Sequence, residues 1–210
     1  MPSYKKNEAR AWALENLRGV ANVVIPTFTQ DLTRLNETAI RYDIEKDIEF
    51  GFYGTLLVSE VAISVEEYAR FVAVSAETAA GRLCLIHHAA FGTLQENIEA
   101  VQAAEKNGAE LILLSYPANY HPTSEQEIYD YTKSFCDSTN LGVMIFPVPL
   151  WGFERLHPAG MSPELVDRMV DNIQNIVAIK AESGMPTIGG FVQAWRKYEG
   201  KIVVLSLIHI

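Results

Sequence analysis

Lys180 closes a short apolar run, Ile176-Val177-Ala178-Ile179, and is followed by Glu182 and Gly184. A run of mostly β-branched residues suits a buried strand, so a lysine at its end carries an amine to the edge of whatever that strand bounds. On the two-residue alternation of a strand, Ile176, Ala178 and Lys180 share one face, and Val177 and Ile179 take the other. If the first face borders an apolar cavity, burial penalises the ammonium form and leaves an amine able to attack a ketone. The iminium so formed draws electrons, and a neighbouring carbon can then lose a proton or a carbon–carbon bond can break. Glu182 shares the parity of Lys180 and is a candidate general base; the alternative is a solvated side chain beyond the strand's end.

Other polar residues stand at the ends of similar apolar runs: Ser59-Glu60, His87-His88 and Ser115-Tyr116. His87 and His88 are adjacent, so at most one of them enters a common site, and the pair has no chelating spacing. His88 is carried forward as a polar site candidate, against a packed, hydrogen-bonded histidine. Arg155, in WGFERLHP, has the planar fork that binds a carboxylate, against an exposed arginine. Trp151 and Phe153 beside it either cover a site or anchor their own loop. Glu60, His88 and His121 are the residue types of a metal-dependent site, which is kept as an alternative.

The elements that must position these residues recur along the chain. Apolar runs lie at 21–28, 54–60, 83–89, 110–117, 142–149, 176–183 and 201–206. Both faces of each are apolar, as in strands covered on both sides within a parallel sheet. Between them stand helix starts: Ser64 with Glu67, Thr93 with Glu96, Ser124 with Glu127, and Ser162 before Pro163. Gly108 is placed to end the helix that starts at Thr93, as a C-cap. A strand-then-helix unit about every 30 residues leaves an open doubly wound sheet or a closed barrel. Pro26-Thr27-Phe28-Thr29-Gln30 follows the first strand where a dinucleotide fold needs a glycine-rich turn. The α/β (β/α)8 TIM barrel is therefore expected, with chemistry at the strands' C-terminal ends.

Only about seven of the barrel's eight strands can be counted, so a C-terminally truncated barrel is expected, as one domain over residues 1–204. Residues 205–210, within the terminal LSLIHI, follow no turn or helix signal and read as a non-native tail. A barrel lacking a strand leaves open sheet edges, which favours aggregation or failure to fold alone. The 210 residues, 49% hydrophobic, suffice for one substantial core. A net charge of −9, with no basic cluster beyond Lys5-Lys6, argues against nucleic acid or an anionic membrane as partner. Cys84 and Cys136 lack C-x-x-C spacing and are expected as reduced thiols of a cytoplasmic protein. Glu8, Arg10, Glu15 and Arg18 exclude a signal peptide at the start of the chain, and no apolar run is long enough to span a bilayer.

GFYGTLLVSE (51–60), the stretch from Ala100 to Tyr131, and SPELVDRMVDNIQNIVAIKAESG (162–184) together resemble the dihydrodipicolinate synthase and N-acetylneuraminate lyase family of class I aldolases. The resemblance covers nearly the whole chain. It implies a cofactor-independent lyase in which Lys180 forms a Schiff base with a pyruvate-like 2-oxo acid, in a homotetramer when full length. It also implies that Ser59 and Glu60 occupy the place of the loop that holds the substrate carboxylate, and that Phe146 aligns with the family's proton-relaying tyrosine. A phenyl ring cannot relay a proton. Either Tyr116 or Tyr120 matches the tyrosine that family members send into a neighbouring subunit. The departures leave the substrate open, with a non-catalytic ligand-binding relative as the alternative beside the metal-dependent enzyme.

Overall fold

The computed structural model describes residues 2–148, 151–180 and 188–205. In chain order its elements are α1 (Ala9–Asn16), β1 (Ala21–Val24), α2 (Glu37–Glu49), β2 (Gly54–Leu57), α3 (Val65–Ala79), β3 (Cys84–Ala89) and α4 (Leu94–Lys106). They continue with β4 (Leu111–Leu114), α5 (Glu125–Asp137), β5 (Gly142–Ile145), α6 (Pro163–Asn172), β6 (Ile176–Lys180), α7 (Ile188–Tyr198) and β7 (Val203–Leu205). The seven strands pair in parallel and in sequence order, β1 to β7. At least one residue from each, among them Val23, Leu56, Ile86, Leu113, Met144, Lys180 and Leu205, borders a single cavity. The sheet is thus curled around its own interior, with seven strands of a (β/α)8 barrel and helices outside. No helix among the described residues is long and apolar enough to cross a membrane.

The helix starts follow local chemistry. Ser64 accepts from the Glu67 amide while the Glu67 carboxylate accepts from the Ser64 amide, a complete reciprocal cap. Thr93 caps α4, and Ser162 caps α6 with Pro163 in its first turn. At α5 the reciprocal half shifts by one residue: Ser124 accepts from the Glu127 amide, but the Glu127 carboxylate takes the Thr123 amide and hydroxyl. Gly108 ends α4 at φ +104°, and a Cβ there would stand 2.9 Å from the Ala76 methyl, so conformation and space both demand glycine.

The strands stop earlier than their apolar runs. β1 ends at Val24, before Pro26; β4 ends at Leu114, before Pro117; β5 ends at Ile145, before Pro147. Each proline lacks the amide that would extend the ladder. Leu205, placed at the start of the tail by sequence, is the last residue of β7 and pairs with Lys180. Residues 206–210 lie outside the described residues.

The N-terminal segment, to which the sequence assigned no structure, is tied to the N-terminal ends of β4, β5 and β6. Arg10 on α1 donates to the carbonyls of Ile176 (2.8 Å), Ile173 (2.9 Å) and Val170, joining β6 to the end of α6. Tyr4 donates to the Glu110 carbonyl and accepts from the Gly142 amide at 2.8 Å. Cys84 and Cys136 are free.

Candidate active site

Lys180 reaches the barrel interior at the C-terminal end of β6, although the alternation that predicts this is interrupted. Ile176 pairs with Val143, and Ala178 with Met144, so Val177 is an extra residue in the ladder. A Cβ on Gly142 would meet Val177 at 3.0 Å, so a glycine in β5 makes room for the irregularity. Beyond it the expected facing holds: Ile179 lines an outer groove with Val166 and Lys197, and Lys180 lines the interior with Met144 and Leu113. That interior cavity is about 140 Å³ and its wall is mainly aliphatic. Lys180 is half-buried rather than enclosed. Its Nζ lies 3.9 Å from the centroid of the Phe146 ring. The face of an aromatic ring attracts a cation, so the phenyl side chain that cannot relay a proton here supports the lysine's head group. The Trp151 indole donates to the Phe146 carbonyl at 2.9 Å and its ring packs edge-on at 6.2 Å, so Trp151 anchors the loop after β5.

Beside this pair lies a buried polar group from β2, β3 and β4. His88 Nε2 and Ser115 Oγ are 2.9 Å apart, the Ser59 hydroxyl donates to the His88 carbonyl, and the Ser59 amide reaches His88 Nδ1 at 3.4 Å. Burial pushes the His88 imidazole down to about 4, and the Lys180 charge acts in the same direction. His87 points the other way, to the helix layer, where its Nδ1 meets the Tyr68 hydroxyl of α3 at 2.9 Å. Burial holds it at about 3. Of the two adjacent histidines, His88 is therefore the one on the lysine's side. Ser115 stood among the strand-end polar residues of the sequence without a site role. The signal was available: it is two residues beyond Leu113, a cavity-lining residue.

The remaining candidates are more dispersed. Ser59 is buried and Glu60 exposed. Arg155 is exposed and donates to the Pro122 carbonyl at 3.4 Å. Glu182 lies outside the described residues. Tyr116 is buried against α5, its hydroxyl 2.6 Å from that of Thr132, whereas Tyr120, stacked on it at 5.9 Å, stays half-exposed. Among the described residues no group of three or more His, Cys, Asp or Glu side chains could hold a metal ion. Glu60, His88 and His121 are all described, and only His88 is buried. The metal-dependent alternative therefore has no ligand set on those residues.

The profile of the dihydrodipicolinate synthetase family matches residues 16–206. The 4-hydroxy-tetrahydrodipicolinate synthase of Brucella abortus biovar 1 (strain 9-941) is 27% identical over 172 residues, covering 80% of this chain and 56% of that protein. The chain thus spans little more than half the length of such relatives. Among solved structures, the 4-hydroxy-tetrahydrodipicolinate synthase of Methylacidiphilum fumariolicum SolV superposes with TM-score 0.77 at 22% identity, over 90% of this chain and 61% of its own. A prophage protein of E. coli K12 from the dihydrodipicolinic acid synthase family, solved in complex with pyruvate, gives TM-score 0.76 at 21% identity, over 90% and 63%. The family profile covers most of the chain and the solved relatives share its fold, and the chain belongs to the dihydrodipicolinate synthetase family.

Proposed function

We propose that Lys180 captures a pyruvate-like 2-oxo acid as a Schiff base, and that the protein is a carbon–carbon or carbon–oxygen lyase of the class I aldolase type. The observation that carries this reading is the Lys180 amine at the C-terminal end of β6, facing an aliphatic cavity of about 140 Å³. The family's relatives named as synthases, and the neighbour solved with pyruvate, support it. In the reaction the neutral amine adds to the keto carbon, the carbinolamine loses water, and the iminium takes up the electron pair released when a bond to the adjacent carbon breaks. Ser59, Glu60 and Arg155 are the candidate carboxylate-binding and rim residues, and Glu182, two residues past the nucleophile, is the candidate base. No cofactor enters this scheme. The half-exposed Tyr120 suits a contact with a second subunit in a homo-oligomer, and the proposed setting is the cytoplasm.

Incubation with pyruvate and borohydride should add the reduced adduct mass to Lys180, located by peptide mass spectrometry. An unchanged mass in the folded protein would defeat the reading. Phe146 favours a second reading, a ligand-binding relative without turnover, because it places a ring where a hydroxyl would move protons. Stabilisation by pyruvate that survives Lys180→Ala would select that one.

A further inference from the structure

We propose that His88 and Ser115 form a neutral hydrogen-bonding pair, in which His88 fixes Ser115 so that the serine hydroxyl donates to the carbonyl-derived oxygen of a substrate at Lys180. The proposal rests on the Schiff-base reading and assigns a role that Phe146 cannot fill.

Strand register supplies the placement. Leu113 pairs with Met144, and Met144 with Ala178. Two residues further along each strand, Ser115, Phe146 and Lys180 form one row across three neighbouring strands on the interior side. The Ser115 amide still donates to the Ala89 carbonyl at 3.0 Å, so the β3–β4 ladder extends to the serine. His88 stands in the row beneath, beside Leu113, and its ring reaches up to Ser115 Oγ.

The hydrogen-bond directions follow from what each atom can do. The neighbour of His88 Nδ1 is a backbone N–H, that of Ser59, so Nδ1 accepts and the ring proton sits on Nε2. Nε2 then donates to Ser115 Oγ, which leaves the single hydroxyl proton of Ser115 to be given elsewhere. Burial first and the Lys180 charge second hold the imidazole down at about 4, and a second proton would also face the Ser59 N–H. Nor can neutral His88 pass its Nε2 proton on, since that would leave an imidazolate. The pair therefore polarises an oxygen and moves no proton, a use of neutral imidazole with enzymatic precedent. Ser115 is the group in contact with substrate, and His88 is a positioning residue.

Borohydride trapping of pyruvate, followed as a rate by intact mass, separates the possibilities. Ser115→Ala should slow trapping at saturating pyruvate about 100-fold, the effect of losing one donor to a developing oxyanion. His88→Leu should fall equally, and the double substitution no further. His88→Gln, whose amide can still donate to Ser115, should recover most of the rate. The wild-type profile should show no step near pH 6.5, because His88, flanked by Lys180, His87 and the Tyr68 hydroxyl, does not titrate there. Should Ser115→Ala unfold the barrel, Ser115→Cys, similar in shape with a weaker donor, is read in its place. Wild-type trapping with Ser115→Ala within threefold of it, or no rescue by His88→Gln, overturns the pair alone. No wild-type adduct at all overturns the Schiff base and the pair with it.

Discussion

Lys180 Nζ lies over the face of the Phe146 ring, 3.9 Å from its centroid, at the level where β5 and β6 end. The backbone on each side is held, at Phe146 by the Trp151 indole on its carbonyl and at the start of β6 by Arg10 on the Ile176 carbonyl. The ring lacks a para hydroxyl, the group that could relay a proton. Phe146→Tyr supplies it with the backbone already pinned. General acid–base help is typically worth 10²–10⁴-fold, and an unrefined placement should deliver about tenfold faster trapping of pyruvate. The melting temperature should change by only a few degrees. Trapping no faster than wild type would mean that the phenyl ring is not what limits this site.

A second prediction concerns the strand that carries the lysine. Arg10 gives hydrogen bonds to the carbonyls of Val170, Ile173 and Ile176, from a guanidinium whose own charge is disfavoured by burial. Arg10→Met keeps much of the stem and removes every donor. Buried carbonyls left without partners cost about 1–3 kcal/mol each, and partial rescue by water and by the Ile176 amide already on Ile173 should bring the total to roughly 2–4 kcal/mol. The urea midpoint should fall accordingly, and trapping at Lys180 should slow as β6 loosens. An unchanged midpoint would show that α1 is not a support of the site.

Those two predictions draw on different levels of legibility. The strands and most helix starts were readable because apolar runs, caps and prolines act over a few residues. Ser64 with Glu67 and Ser162 with Pro163 behave as local rules require. Lys180 was read onto the interior although Val177 breaks the alternation, because the irregularity is complete before Ala178. Arg10 was opaque for the opposite reason: its partners lie 160 to 166 residues away, and no local pattern encodes them. The same applies to Ser115, whose partner is His88, 27 residues distant. Parity separated His87 from His88 but could not say which faced the lysine, since that needs the position of Tyr68 on α3.

A third prediction tests a complete local rule. Ser64→Ala removes the acceptor of the Glu67 amide and one anchor of the Glu67 carboxylate at the start of α3. Loss of such a cap costs about 1 kcal/mol. The thermal midpoint should drop by a few degrees, with trapping at Lys180 unaffected, because Ser64 lies at the start of α3 while the α3 hydroxyl that meets the His88 amide is that of Tyr68. A larger loss, or any loss of trapping, would show that the cap does more than start its helix.

The last prediction concerns acid. His87 and His88 sit at about 3 and about 4 in the folded chain, both lowered first by burial. Unfolded, each titrates near 6.5. Above that value both are neutral in either state and contribute no pH dependence. As pH falls below 6.5 the unfolded chain takes up protons that the folded chain refuses, and stability drops by up to about 1.4 kcal/mol per pH unit for each histidine until its folded value is reached. His87→Phe removes one of these groups with little local damage. The Tyr68 hydroxyl keeps the Leu57 carbonyl and the His88 amide, the His87 ring already packs edge-on against Tyr68 at 5.2 Å, and among the described residues the buried His87 Nε2 has no hydrogen-bond partner to lose. Urea midpoints measured between pH 7.5 and 4.5 should therefore fall less steeply below pH 6.5 in His87→Phe than in wild type. Carboxylate titration is common to both proteins and cancels in the difference, so identical slopes would mean that His87 accepts its proton in the folded state.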